Sequence, residues 1–302
     1  MAILLTDATL ATMTDGYGLI PDAAVAMEED HILWAGPMTD LPEVYASLPS
    51  HSAQGRLVTP ALIDCHSHIV FGGDRAAEFE MRLNGASYED VARAGGGILS
   101  TVKATRAASE ADLLASALAR AEQIIAGGAA TIEVKSGYGL TIADELKMLR
   151  VARRIGKLRP VHIRTTHLAA HAIPPEYKDR ADAYIDEVAI PSLRAAHAEG
   201  LIDAVDAFCE GIAFSPAQVD RLFTAARDLG LPVKLHAEQL SDLKGAVLAA
   251  RFKALSADHL EYLGQDGVDA MAAAGCVAVI LPGAYYTLRE TQTPPIAALR
   301  AA

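Results

Sequence analysis

Short apolar segments alternating with helices, and polar residues recurring where those segments end, predict an α/β fold. The expected form is a parallel sheet covered by helices and closed as a (β/α)8 barrel, next to a small β-rich N-terminal portion. The alternation begins near residue 58. Candidate strands are 58–66 (VTPALIDCH), 129–136 (AATIEVKS), 161–167 (VHIRTTH), 204–210 (AVDAFCE), 232–238 (PVKLHAE), 254–260 (ALSADHL) and 276–282 (CVAVILP). They are short and mostly apolar, as strands buried on both faces must be. Helices between them have readable ends. Ser109 caps one that runs to Ile125 and stops at Gly127-Gly128, and Ser215-Pro216 opens another that stops at Gly230. Ser or Pro at the start and Gly at the end is the normal asymmetry of helix termini.

An open doubly wound sheet shares this alternation. The barrel is preferred because polar side chains recur at the C-terminal ends of at least four strands, where barrel enzymes build their sites. Seven strands are legible, and the last readable piece, PPIAALRAA (294–302), is a helix start. The eighth strand of a closed barrel is not reached. Residues 1–57 differ: alternating or apolar runs separated by Gly, Pro and Asp clusters read as strands joined by turns, too few to close a sheet alone. The expected domains are therefore 1–57, a partial β-sandwich, and 58–302, the barrel.

The chain has 302 residues, 51% apolar and 21% charged, enough for one large α/β domain with a small companion. Its net charge of −12 repels phosphate backbones and anionic lipid, so nucleic acid and membrane surfaces are not expected partners. Cys65, Cys209 and Cys276 lie far apart without a CxxC pair, which argues against both a zinc knuckle and a disulfide framework. MAILLTDATL has no basic region ahead of an apolar run, so a secretory signal is not expected. No apolar stretch approaches the roughly 18 residues of a spanning helix. A reduced, cytoplasmic enzyme fits these features.

The strongest chemical signal is His66-Ser67-His68 at the end of the first barrel strand. Side chains at i and i+2 of a strand share a face, so the two imidazoles address one spot. Two neutral imidazoles there suit a zinc or iron ion. A third candidate ligand is His236 in VKLHAEQ, where the fifth strand ends. His259, in SADHLEY at the end of the sixth, is placed to relay a proton beside the metal, and Glu238 is a second candidate for that role. Gln239 does not titrate and suits hydrogen bonding to an amide.

These residues, with TPALIDCHSHIVFGGDRAAEF, AGGGILSTV, EVKSGYGL, TTHLAAHAIP and KLHAEQL in that order, resemble the imidazolonepropionase family of the amidohydrolase superfamily over nearly the whole chain. The resemblance implies a TIM-type barrel of the amidohydrolase kind beside a small β-sandwich. It implies one zinc or iron ion and hydrolysis of 4-imidazolone-5-propanoate to N-formimino-L-glutamate. The family's metal histidines fall on His66, His68 and His236. Its substrate-binding arginine, tyrosine, histidine and glutamine fall on Arg75, Tyr138, His171 and Gln239, and its sixth-strand catalytic histidine on His259. A guanidinium at position 75 can take a substrate carboxylate bidentately.

The family also carries a metal-binding Asp at the end of its eighth strand, followed by an Asn-Pro-Gly-type loop. This chain ends before both, so it is expected to be C-terminally truncated relative to the family. Asp258 is not expected to substitute, since strand alternation turns it away from the face that His259 uses. Lys135 invites comparison with the carboxylated lysine of two-metal amidohydrolases, but the resemblance is to a one-metal member. Gly95-Gly96-Gly97 lacks the spacing of a phosphate cradle and reads as a loop over the site. His167 is expected to make a structural hydrogen bond, His162 and His197 to serve as scaffold or face solvent, and Cys65 to be a buried apolar filler. The alternatives are another mononuclear amidohydrolase, such as an aromatic-base deaminase, or an inactive metal-binding chain. A carboxylate-bearing small-molecule substrate favours Arg75 and argues against the deaminase. A homodimer is the expected assembly if there is one.

Overall fold

The computed structural model describes residues 1–85 and 97–302, so the reading of Gly95 and Gly96 as a loop over the site lies outside the described residues. The chain forms two compact units, Met1–Leu62 and Ile63–Ala302.

The first unit is one mixed sheet of β1 (Ala2–Ala11), β2 (Leu19–Glu28), β3 (His31–Pro37), β4 (Ser50–Ser52) and β5 (Leu57–Val58). β1–β2 and β2–β3 are antiparallel, while β4 and β5 run parallel to β1. Ala8, Leu10, Ala23, Val25 and Ala53 form one core cluster, and Leu4, Ala24 and Ala26 form another with Trp34 and Tyr45. The sheet is therefore packed on both faces.

A second sheet is made of β6 (Leu62–Asp64), β7 (Ala129–Lys135), β8 (His162–Ala170), β9 (Ala204–Cys209), β10 (Lys234–Ala237), β11 (Ser256–His259) and β12 (Val277–Val279), all but Leu62 in the second unit. They lie in the order β12-β11-β10-β9-β8-β7-β6. The described pairings from β7 to β12 are all parallel. Strands joined only to their sequence neighbours, each through a helix, make the repeating unit of a β/α barrel. The sheet curls far enough for its distant members to touch. Lys234 Nζ on β10 donates to the carbonyl of Cys65 just beyond β6 at 2.7 Å. The expected fold class is thus present as an incomplete barrel, with seven strands among the described residues.

The single strand expected at 58–66 is corrected. Leu57 and Val58 pair with β1 in the first unit, and only Leu62–Asp64 joins the barrel sheet. Pro60 stands between them, and a residue with no N–H and a fixed φ does not continue a ladder.

The helices follow their sequence signals. Ser109 accepts from the Asp112 backbone to cap Glu110–Ala126, which ends at Gly127. Ser215 and Gln218 form a capping box over Pro216–Asp228, with Pro216 in the first turn. Thr141 caps Ile142–Leu158 in the same way. The apolar stripe of this last helix, Met148, Val151, Ala152 and Ile155, packs against Leu113, Ala117 and Ala121 over the β7 residues Ile132 and Val134. The i, i+3, i+4, i+7 spacing puts that stripe on one helix face. Full burial of each larger side chain stabilises by about 1.5–3 kcal/mol.

Candidate active site

Inside the barrel the strand period of two selects which residues face inward. On β7 these are Glu133 and Lys135, on β10 Lys234 and His236, and on β11 Ser256 and Asp258, all buried. Beyond them, at the C-terminal ends, the histidines converge. The ring of His66 lies 5.2 Å from His68, 4.5 Å from His236 and 5.4 Å from His259, centroid to centroid. His171 stacks on His68 at 5.1 Å with an interplanar angle of 21°. Tyr138 lies 5.8 Å from His68 and 5.3 Å from His171.

The nitrogens suit a metal ion. His68 Nε2 lies 3.3 Å from His66 Nε2 and 3.4 Å from His236 Nε2. Two nitrogens that bind one zinc tetrahedrally at about 2.0–2.1 Å would stand about 3.3–3.4 Å apart, and these two separations match that value. His66 Nδ1 lies 2.6 Å from Asp258 Oδ2, an acceptor. The nitrogens of His66, His236 and His259 lie within 4.8 Å of one another, as do those of His68, His171 and His236.

Burial keeps these imidazoles neutral, the form that binds metal. It drives His66 down to about 2, helped by the charge of Lys135. Burial and neighbouring His171 hold His68 well below the ordinary histidine value. Burial lowers His236 to about 4 against the opposing pull of Asp206. It lowers His171 to about 4 and, with His236 adding to the effect, His259 to about 3.

His259 reaches the cluster through an unusual backbone. Its φ of 85° is left-handed, which ends β11 and breaks the alternation of the strand. Two consecutive residues therefore serve the site. Asp258, expected on the opposite face, instead points into the barrel with Ser256 and contacts His66. The expectation for Asp258 is corrected on this point.

The loop Gly137–Leu140 carries Tyr138 and is held from below. Glu145 accepts from the backbone of Gly137 at 3.0 Å and from Gly139 and Leu140 at 2.8 Å each. Gly137 has φ 107°, and a Cβ there would stand 2.8 Å from Leu168 O and 2.9 Å from His171 Nδ1. The same His171 nitrogen lies 3.1 Å from the Gly137 carbonyl, so loop and ring brace each other. Burial raises the Tyr138 phenol above its ordinary value, while the charge of Arg75 draws it down. The Arg75 charge also acts on His171. Its Nε donates to Thr101 Oγ1 at 2.9 Å.

Glu238 is buried and left-handed at φ 49°, with its carboxylate turned to the helix Gly245–Arg251, where it accepts from Gly245 at 2.5 Å and Ala246 at 2.8 Å. Burial pushes it up to about 7. Gln239 follows it, half-buried. The next two residues are fixed by Glu210, which accepts from Leu240 at 2.9 Å and Ser241 at 3.1 Å. Lys135 is fully buried, with Nζ 2.7 Å from Asp206, 3.0 Å from Glu133 and 3.8 Å from Asp258. His167 contacts Ser192 Oγ at 3.0 Å, the expected structural bond, and His162 and His197 are exposed. Cys65 is exposed rather than buried, since it follows the edge strand β6.

Sequence reading passed over Asp206, Glu133, Lys234, Glu145 and Glu210. A signal existed for three of them. Glu133 with Lys135, and Lys234 with His236, stand two apart in otherwise apolar strands, and Asp206 interrupts AVDAFC. A charge at that period in a buried strand has to face a partner.

No family model matches the chain. It is 66% identical to the imidazolonepropionase of Ruegeria pomeroyi over 300 residues, covering 98% of this chain and 75% of that protein. With the imidazolonepropionase of Cereibacter sphaeroides strain KD131 the figures are 65% identity, 99% and 75%. With that of Paracoccus denitrificans they are 66%, 98% and 75%. Among solved structures, a triazine hydrolase variant superposes with a TM-score of 0.73 at 15% identity, covering 99% of this chain and 69% of that one. The 5-methylcytosine deaminase of Klebsiella pneumoniae gives 0.67 at 15%, covering 100% and 72%. At such low identity these two speak for the fold alone. The chain spans about three quarters of the length of its curated relatives, and no described helix is long and apolar enough to cross a membrane. On sequence identity sustained over nearly its whole length, this chain belongs to the imidazolonepropionase family of the amidohydrolase superfamily.

Proposed function

We propose that the site supports metal-dependent hydrolysis of the cyclic amide of 4-imidazolone-5-propanoate to N-formimino-L-glutamate, in a cytoplasmic enzyme. The observation that carries this reading is the spacing of the His66, His68 and His236 Nε2 atoms at 3.3 and 3.4 Å. These three would hold one zinc or iron ion. When bound, the ion would supply the positive charge that makes water acidic enough to deliver hydroxide near neutral pH.

Arg75 binds the propionate carboxylate, and Tyr138 and His171 form the wall against which the imidazolone ring packs. Gln239 donates to the amide oxygen. Water adds its oxygen to the ring carbonyl carbon, the carbon–nitrogen bond breaks, and the departing nitrogen takes a proton. His259 is the group that moves this proton. Its ring faces both His66 and His236, and its Nδ1 is buried with no hydrogen-bond partner among the described residues. Glu238 is placed to fix the Gly245 helix behind His236 rather than to exchange protons, since both its oxygens accept from backbone amides.

The test is loss of the ultraviolet absorbance of imidazolonepropionate with zinc or iron added. Turnover that disappears in His236→Ala and is retained in His197→Ala supports the reading. Zinc binding without turnover of this substrate overturns it in favour of a metal-binding chain.

A further inference from the structure

Beneath the histidines lies a buried group of charges that the proposed reaction does not use. Lys135 and Lys234 are enclosed by Glu133, Asp206 and Asp258, and all five side chains are at most 8% exposed. Burying five ionisable groups in a barrel centre is costly, and apolar residues of like volume would pack there at less expense. Two of the three carboxylates face imidazoles. Asp258 Oδ2 lies 2.6 Å from His66 Nδ1. Asp206 Oδ2 lies 3.0 Å from His236 Nδ1, a contact by distance whose angle falls short of a hydrogen bond, while its Oδ1 accepts from the His236 backbone at 3.2 Å.

We infer that Asp258 and Asp206, clamped by Lys135 and Lys234, are positioning residues that hold His66 and His236 with the proton on Nδ1 and the Nε2 lone pair aimed at the metal. A carboxylate accepts only, so each ring must keep its proton on the side that faces the aspartate. The lysines prevent the aspartates from turning away. Lys135 Nζ holds Asp206 at 2.7 Å and Asp258 at 3.8 Å, and Lys234 Nζ holds Asp258 at 3.5 Å. Carboxylate support of a ligating imidazole fixes its orientation and raises its basicity. His68 differs: its Nδ1, like that of His236, is buried without a hydrogen-bond partner, but its ring has no carboxylate contact of this kind among the described residues. The arrangement therefore makes His66 and His236 the two pre-oriented ligands, with His66 the more tightly held. Lys135, so engaged, is a structural cation and not a carboxylated ligand.

The inference rests on the metal-site reading, and the experiment separates the two. Zinc affinity of the metal-free chain is measured by competition with a chromophoric chelator, for the parent, Asp258→Asn, Asp206→Asn and His197→Asn. Asp258→Asn is expected to weaken zinc by about 10–100-fold, Asp206→Asn by less, and His197→Asn not at all. Cobalt(II) loaded in place of zinc is expected to show a changed visible spectrum in Asp258→Asn. Tautomers are read independently from the histidine ¹⁵N shifts of the metal-free parent, with the His66 signal assigned by its loss in His66→Gln. Nδ1–H is expected for His66, and this readout stands even if Asp258→Asn fails to fold. A folded Asp258→Asn with parental zinc affinity, or His66 protonated on Nε2, overturns the inference. A parent that binds no zinc overturns the metal-site reading itself.

Discussion

Replacing Lys135 with Met tests whether the barrel centre is held by charge. The methionine fills most of the volume but leaves Asp206 and Glu133, at 2.7 and 3.0 Å, without this cation. Glu133 keeps Lys234 at 2.6 Å, whereas Asp206 keeps His236 and the backbone amide of Ala207 but no cationic side chain among the described residues. Removing one partner of a buried pair costs about 3–5 kcal/mol, a large part of the roughly 5–15 kcal/mol that holds a domain folded. With a urea dependence near about 3 kcal/mol per molar for a chain of this size, the midpoint of the metal-free protein should fall by about 1–2 M. The loss should depend on pH in a defined direction. Burial would raise the Asp206 carboxyl, yet His236 and Lys135 hold it well below the ordinary aspartate range. The stability linked to its ionised form is thus present above the unfolded value of about 3.9 and is lost as pH falls through the lower folded value. Parent and variant should therefore differ fully at pH 7 and converge below about pH 4. A midpoint shift under about 0.3 M at pH 7, or a gap that widens on acidification, would refute the reasoning.

Gly137→Ala places a methyl 2.8 Å from Leu168 O at φ 107°, so it should destabilise by about 1–3 kcal/mol in a urea melt and raise KM through the displaced His171 and Tyr138. Glu145→Gln replaces an oxygen acceptor of the Tyr138 loop and should speed amide hydrogen exchange at Gly137, Gly139 and Leu140, with a cost of about 1–3 kcal/mol. Burial raises the Glu145 carboxyl against the hydrogen bonds that lower it. The folded state then holds this proton more tightly than the unfolded chain, so the Glu145 contribution falls as pH rises from the ordinary glutamate value to the folded one. That part of the slope should be absent in Glu145→Gln. An unchanged slope together with unchanged exchange would remove Glu145 from the account of the loop.

What could be read from the sequence was local. Helix ends at Ser109 and Ser215 depend on residues within one turn of each other, and the strand-helix alternation depends on apolar period and turn residues. His66 and His68 were legible as a pair from their spacing of two, although both lie just beyond the end of β6. His236 and His259 were legible as strand-end polar residues. Tertiary structure alone decided what each of these touches. Asp258 and His66 are 192 positions apart, and only the curl of the sheet brings them to 2.6 Å. Alternation misplaced Asp258 because it holds only while the backbone stays extended, and His259 at φ 85° does not. The division of residues 57–64 between two sheets followed from which strand each half pairs with, a choice that Pro60 permits but does not make. Sequence period determines which way a side chain points; the partner it meets is set by closure of the sheet, and that partner decides whether a buried charge is paired, a histidine oriented, or a metal held.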